Sequence, residues 1–167
     1  MAANGVSTDK EQRLIELIPR LRRYARALAG DGVAADDLVQ DTLARAWAKL
    51  DLYRDGTDLR AWLFTVMHNV YVNSVRATRP VEPLDAGELA LQVPPREGLL
   101  VRDLDRAIAS LPDDQRTVLL LVALEEMSYE EVARMLGIPL GTVISRLSRA
   151  RTKLRAFFGE TKLKAVK

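Results

Sequence analysis

Cysteine is absent from these 167 residues, and histidine occurs once, as His68. The first absence excludes disulfides, thiolate zinc sites and cysteine nucleophiles. The second excludes a His-rich metal site and a standard Ser-His-Asp triad. Aromatic residues make up only 5% of the chain, and glycine occurs nine times. With Leu, Ala and Arg recurring throughout, that balance favours helices over a sandwich or barrel. No apolar run approaches the roughly 18 residues of a membrane span. The longest, Thr117 to Leu124, has the length of a core helix. Met1 to Lys10 is polar and of mixed charge, without a signal-peptide core, so a cytoplasmic protein is expected. No glycine-rich phosphate loop and no internal repeat occur, and no cofactor is expected.

What is present is a chain that can bury a core, 48% apolar and 29% charged. The formal net charge of +2 is unevenly placed. Residues 142–167 carry eight basic groups against one acidic, whereas 99–141 carry four against eight. A basic tail behind an acidic stretch suits a polyanion partner, and equally suits a solvated basic surface. Residues 78–98 hold four of the seven prolines, two adjacent at Pro94 and Pro95. Proline removes backbone donors and biases its neighbours toward extended conformations. The expected architecture is therefore all-α. Two small helical domains, 1–77 and 99–167, are joined by a flexible linker at 78–98.

In the first module, Leu14, Ile18, Leu21, Ala25 and Leu28 recur at helical spacing. Pro19 falls within that stripe, where the helix either kinks or starts anew. Gly30-Asp31-Gly32 ends this element. A second helix is predicted from about Val33 to Leu50, with Leu38, Leu43, Ala46, Trp47 and Leu50 as its apolar stripe. Asp36 and Asp37 favour its N-terminal end. After a polar loop containing the Asp55-Gly56 turn signal, a third helix is predicted over about Leu59 to Arg76. Trp62, Leu63, Val66, Val70 and Val75 give it a buried face. Both tryptophans are expected in the core, and His68 as a surface or polar-contact residue.

The second module opens with a helical face of Leu100, Leu104, Ile108 and Leu111. Pro112, Asp113 and Asp114 mark the next helix start, and that helix, over 113–125, is expected to be buried on most sides. Ser128-Tyr129-Glu130-Glu131 is a capping box opening a short helix that Gly137 stops. A last helix follows Pro139, over about Gly141 to Phe158. A capped helix, a glycine turn and a helix with arginines beyond its start have the layout of a helix-turn-helix. In projection Thr142, Arg146, Arg149 and Lys153 lie along one side of the last helix. Val143, Leu147, Ala150 and Leu154 lie along another. One side can face DNA while the other packs on the domain.

Three blocks in order resemble extracytoplasmic-function sigma factors, the small specificity subunits of bacterial RNA polymerase. DDLVQDTLARAW at 36–47 resembles the region that docks on the polymerase clamp. LRAWLFTVMHNVYVNSVR at 59–76 resembles the region that melts and reads the −10 element. Residues 104–155 resemble the region that reads the −35 element. The resemblance implies that Asp37, Gln40, Asp41 and Arg45, placed largely opposite Leu43 and Trp47, meet core polymerase. It places a flipped-base pocket at the Asp51–Leu59 loop, with Asn69 reaching into it. Asn73, Arg54 and Arg76 are further −10 candidates, and Tyr53 is a candidate stacking wall. Thr142, Ile144, Ser145, Arg146, Arg149 and Lys153 are the −35 candidates.

Ile144 departs from the family, where lysine or arginine is common at this position. It removes one phosphate or base contact and can instead meet a thymine methyl. The linker's net charge of −2 suits a segment that occupies an RNA path, again by resemblance. The implied partners are core RNA polymerase, promoter DNA and an anti-sigma factor, with no membrane insertion. The alternative reading is a stand-alone helix-turn-helix regulator that binds specific DNA without polymerase. An enzyme is disfavoured, because no metal cluster, nucleophile–base pair or phosphate loop is visible.

Overall fold

Short polar residues and glycines set the helix ends in the computed structural model, which describes residues 3–78 and 97–165. Helix α1 spans Ala3–Ala29 and runs through Pro19 without a break in helical assignment. Gly30, at φ 71, turns the chain out of it. Asp31 then adopts an extended conformation and its carboxylate accepts from Val33 N and Ala34 N. It caps α2, Gly32–Ala48, whose start lies one residue before the predicted Val33. A single 3-10 turn, Leu50–Leu52, follows. Asp58 caps α3, Leu59–Ala77, by accepting from Arg60 N and Ala61 N.

Helices α4, Glu97–Ala109, and α5, Asp113–Ala123, come next. Helix α6, Tyr129–Leu136, carries the expected capping box: Glu131 N donates to Ser128 Oγ at 3.2 Å, and Ser128 N donates to Glu131 Oε2 at 2.7 Å. Gly137 ends α6 in the left-handed region at φ 65, a conformation that costs a side-chain-bearing residue about 1–2 kcal/mol. Helix α7, Leu140–Ala165, is longer than the Gly141–Phe158 prediction. No strand occurs among the described residues, and none of their helices is long and apolar enough to cross a membrane.

The chain forms two compact units. Helix α1 up to Arg26, α2, the 3-10 turn and α3 make the first; α4–α7, with Ala27–Gly30, make the second. Apart from its ends, the expected linker lies outside the described residues. The first core is built on Leu14, Leu21, Tyr24, Leu38, Leu63, Phe64 and Met67, all buried. Tyr24 and Phe64 meet edge to face, with centroids 5.1 Å apart. This geometry stabilises an aromatic pair beyond its buried area.

The second core joins α5, α6 and α7 through Val118, Leu120, Leu121, Val132, Val143, Leu147 and Ala150. Arg116 fixes the α4–α5 turn. Its guanidinium donates to the carbonyls of Ile108 at 3.1 Å and of Ala109 and Leu111 at 2.8 Å. The same group lies 3.4 Å from Asp113 Oδ1. Charge-assisted bonds of this kind satisfy the orphan carbonyls at a helix end.

Three burial expectations are corrected. Trp47 is 50% exposed, because it lies about a third of a turn away from the packed stripe of Ala35, Leu38, Val39, Thr42 and Ala46. Leu100 and Leu104 are exposed too; among the described side chains of α4 only Ala107 is fully buried, with Leu111 in the turn beyond. Trp62, Val66 and Val75 are half-buried, while Leu59, Phe64 and Met67 complete the α3 core in their place.

Candidate nucleic-acid interface

Helix α7 has three distinct faces. Val143, Leu147 and Ala150 are buried against the unit. Arg149 and Lys153 are exposed on one flank, with Thr142 half-buried in line with them at the helix start. Ile144 is 48% exposed toward the other flank. Ser145 is half-buried near the midline, its hydroxyl donating to Thr142 O at 3.1 Å. The two backbone bonds from Thr142 N and Val143 N to Pro139 O, at 3.0 and 3.2 Å, fix the start of α7. The tight turn from Gly137 to Leu140 thus presents the first two turns of α7 at the surface, as a helix entering a major groove requires.

Arg146 differs from its fellow candidates. Its Nε lies 3.3 Å from Asp114 Oδ2 at the start of α5, and its side chain is only 28% exposed. It is engaged within the unit, unlike Arg149 and Lys153. Sequence projection places it on the basic side but cannot show which acid that side meets. Three exposed residues on the far flank and midline escaped the sequence reading: Ser148, Arg151 and Arg155. They share a shallow groove of about 170 Å³ with Tyr129, Ile144 and Leu147. The spacing of Ile144, Ser148, Arg151 and Arg155 at steps of four, three and four was the available signal.

In the first unit, α3 carries Trp62, Thr65, Asn69, Asn73 and Arg76 at steps of three and four, which places them along one face. Asn69, Asn73 and Arg76 are exposed. Arg54 is exposed on the preceding loop. Tyr53 is not. It is 4% exposed, its ring tilts against Trp62 at 5.5 Å, and its hydroxyl donates to Thr57 O. Lys10 lies over the ring at 5.8 Å, donates to Tyr53 O at 3.3 Å and pairs with Asp55 Oδ1 at 3.2 Å. The expected stacking wall is therefore a loop anchor in this conformation. Trp62, half-buried beside it, holds the loop from the α3 side.

His68 is half-buried, and its Nδ1 is buried with no hydrogen-bond partner among the described residues. Burial pushes its pKa below the usual 6.5, because desolvation penalises the imidazolium.

On α2, Asp37, Gln40, Asp41 and Arg45 are all exposed. Trp47 and Val33, the latter 66% exposed, fall on the same outward half of the helix as Gln40 and Asp37. The surface is thus a polar helix face with an indole within it. The sequence reading missed Trp47 here because it placed the indole on the apolar stripe of Leu38, Leu43 and Ala46.

Comparison with known proteins bears on both units. Residues 14–68 match the family described as the Sigma2 domain of PhyR, and residues 102–154 match Sigma-70, region 4. The chain is 40% identical over 148 residues to the ECF RNA polymerase sigma factor EcfG of Rhodopseudomonas palustris, covering 86% of this chain and 81% of that protein. It is 37% identical over 145 residues to the ECF RNA polymerase sigma factor SigL of Mycobacterium tuberculosis, covering 81% and 80%. Among solved structures, it is similar to the sigma factor RpoE bound to the anti-sigma factor NepR from Bartonella quintana. That match has a TM-score of 0.73 and 34% identity, over 90% of this chain and 97% of the other. CnrH in complex with the cytosolic domain of CnrY matches with a TM-score of 0.68 and 27% identity, over 90% and 88%.

Proposed function

Because the chain belongs to the ECF RNA polymerase sigma factors, we propose that it binds core RNA polymerase and directs promoter-specific transcription initiation. The observation that carries this reading is a likeness that runs through both units of one chain in order. A stand-alone regulator would require only the second unit to resemble the family.

The parts divide as follows. Residues 1–77 dock on polymerase through the α2 face of Asp37, Gln40, Asp41 and Arg45. The same domain reads and melts the −10 element with Asn69, Asn73, Arg76 and the loop bearing Arg54. Residues 78–98 connect the two domains. Residues 99–167 read the −35 duplex, with Ile144, Ser145, Arg149 and Lys153 at the groove and Thr142 at the helix start. Arg146 serves that helix from its position beside Asp114. Phosphodiester chemistry belongs to polymerase; this chain supplies promoter choice. Base edges in the major groove carry a donor–acceptor code that Ser145 and Arg149 can engage. Phosphates are met by the cations. An anti-sigma factor is the proposed negative regulator, and the cytoplasm the proposed site of action.

The test mixes the purified protein with bacterial core RNA polymerase and follows size exclusion over a salt series. Co-elution at moderate salt is the expected result. Specific DNA binding by the folded protein alone, with no co-elution, would overturn the proposal in favour of the stand-alone regulator.

A further inference from the structure

Lys10 continues the inward face of α1. It stands four residues before Leu14 and eleven before Leu21, both buried, so the three share one side of the helix. The Lys10 side chain is only 13% exposed. Lysine is almost never so covered unless its charge is paired. Here the ammonium reaches the loop before α3, 43 positions along the chain. It donates to Tyr53 O at 3.3 Å, lies 3.2 Å from Asp55 Oδ1 and stands over the Tyr53 ring.

The tip of that loop is shaped from within. Thr57 N and Thr57 Oγ1 donate to Arg54 O at 3.3 and 2.8 Å, the Tyr53 hydroxyl donates to Thr57 O, and Gly56 turns the chain at φ 87. Trp62 steadies the Tyr53 ring from α3, and Lys10 ties the loop to α1. A tie that served stability alone would do as well without charge, because replacing a covered ion pair by apolar side chains is often neutral or stabilising. Asp55 is 62% exposed, so its ion pair adds little to folding. What the tie fixes is the place of Arg54, Asp55 and Thr57, the exposed residues of the tip. A loop ordered beforehand meets an unstacked base without the entropy cost of ordering on contact.

We infer that Lys10 is a positioning residue for −10 recognition. From α1 it holds the Tyr53–Asp58 loop in the conformation that receives the unstacked base. This rests on the −10 reading proposed above. Lys10 itself meets no base, since its ammonium is engaged by Tyr53 O and Asp55.

The test uses the full chain bound to core polymerase. The templates are a promoter retrieved by that complex from a random pool and the same promoter with its −10 element substituted. The readout is the ratio of transcription from the two. Lys10→Met keeps the apolar stem and removes the donor. It is expected to narrow the ratio by about three- to tenfold, with core binding, −35 dependence and melting temperature near wild type. Lys10→Arg, which retains charge and donors, is expected to keep the ratio. An undiminished ratio in Lys10→Met would overturn the proposal. So would an equal loss on both templates, which would make Lys10 a plain cation for the DNA backbone. A loss of ratio accompanied by a fall in melting temperature or core binding would reduce Lys10 to a folding contact and overturn it too. Arg54→Ala separates this proposal from the reading beneath it. If Arg54→Ala leaves the ratio unchanged, the loop does not read the −10 element and the Lys10 proposal falls with that reading. If Arg54→Ala narrows the ratio and Lys10→Met does not, the Lys10 proposal alone falls.

Discussion

Arg146 of α7 and Asp114 of α5 are joined across the second unit, Nε to Oδ2 at 3.3 Å. The pair ties α7 to α5 within the unit and engages a cation that sequence alone assigns to DNA. A partly exposed ion pair of this kind is worth about 0.2–1 kcal/mol. A double-mutant cycle of Arg146→Ala and Asp114→Ala, read by denaturant melts, is expected to return a coupling in that range. Asp114→Asn is expected to strengthen duplex binding by the polymerase complex, because it removes a negative charge beside the DNA and releases Arg146. Weaker binding by Asp114→Asn would show that the tie itself matters more than the freed charge.

Trp47 is the second case in which placement changes the expected role. Half-exposed on the outer face of α2, it contributes little to the core. Trp47→Ala is expected to leave stability within about 0.5 kcal/mol of wild type. Buried aromatic anchors at interfaces are worth about 2 kcal/mol or more, so core polymerase binding is expected to fall by at least tenfold. Equal affinity in an anisotropy titration would remove Trp47 from the docking surface.

Asn69 is exposed on the same α3 face as Asn73 and Arg76. A good base contact discriminates by about 1–3 kcal/mol. Asn69→Ala is expected to narrow the ratio of transcription from matched and mismatched −10 elements by tenfold or more, while dependence on the −35 element is unchanged. An undiminished ratio would assign −10 reading elsewhere.

Gly137 holds the turn between α6 and α7 at φ 65, with open space where a Cβ would stand. The strain of Gly137→Ala is therefore in the backbone alone and is expected to cost about 1–2 kcal/mol. Ser128→Ala, which removes the cap at the other end of α6, is expected to cost about 0.5–2 kcal/mol. Thermal melts of the two variants check both figures.

His68 is held neutral by burial, with its folded pKa below the unfolded 6.5. In the window beneath 6.5 the unfolded chain binds the proton more readily, so stability drops as pH falls toward the folded pKa. Above that window the contribution is fully present. His68→Gln is expected to lose less stability than wild type between neutral pH and the acid side of 6.5. Parallel stability–pH curves for the two proteins would show that His68 is not the group responsible.

The readability of this chain followed the range of the forces involved. The α6–turn–α7 segment was legible because Ser128, Glu131, Gly137 and Pro139 act within a few residues of themselves. The cap and the positive φ appear as their types predict. The start of α2, predicted near Val33, falls one residue earlier, where Gly30 turns the chain and Asp31 caps the helix. Trp47, Leu100 and Leu104 were misread because an apolar side chain is driven inward only if a neighbouring element covers it. No stripe reveals where the neighbour lies. Tyr53 failed in the opposite sense. Its burial depends on Trp62, in the first turn of the next helix, and on Lys10, 43 positions upstream, neither of which the loop's own polar pattern reveals. The Arg146 tie was invisible for the same reason, since its partner is 32 positions upstream.

The division of α7 into a buried row of Val143, Leu147 and Ala150 and an outer surface of Ile144, Ser145, Ser148 and Arg149 has a consequence for descent. On the proposed reading, the residues that choose a promoter are not those that hold the helix in place. Mutations can therefore accumulate on the outer surface at little cost to folding. A duplicated copy of such a gene can drift toward a new set of promoters while its scaffold stays intact. Ile144, 48% exposed on that surface, is a position of the kind this arrangement leaves free to vary.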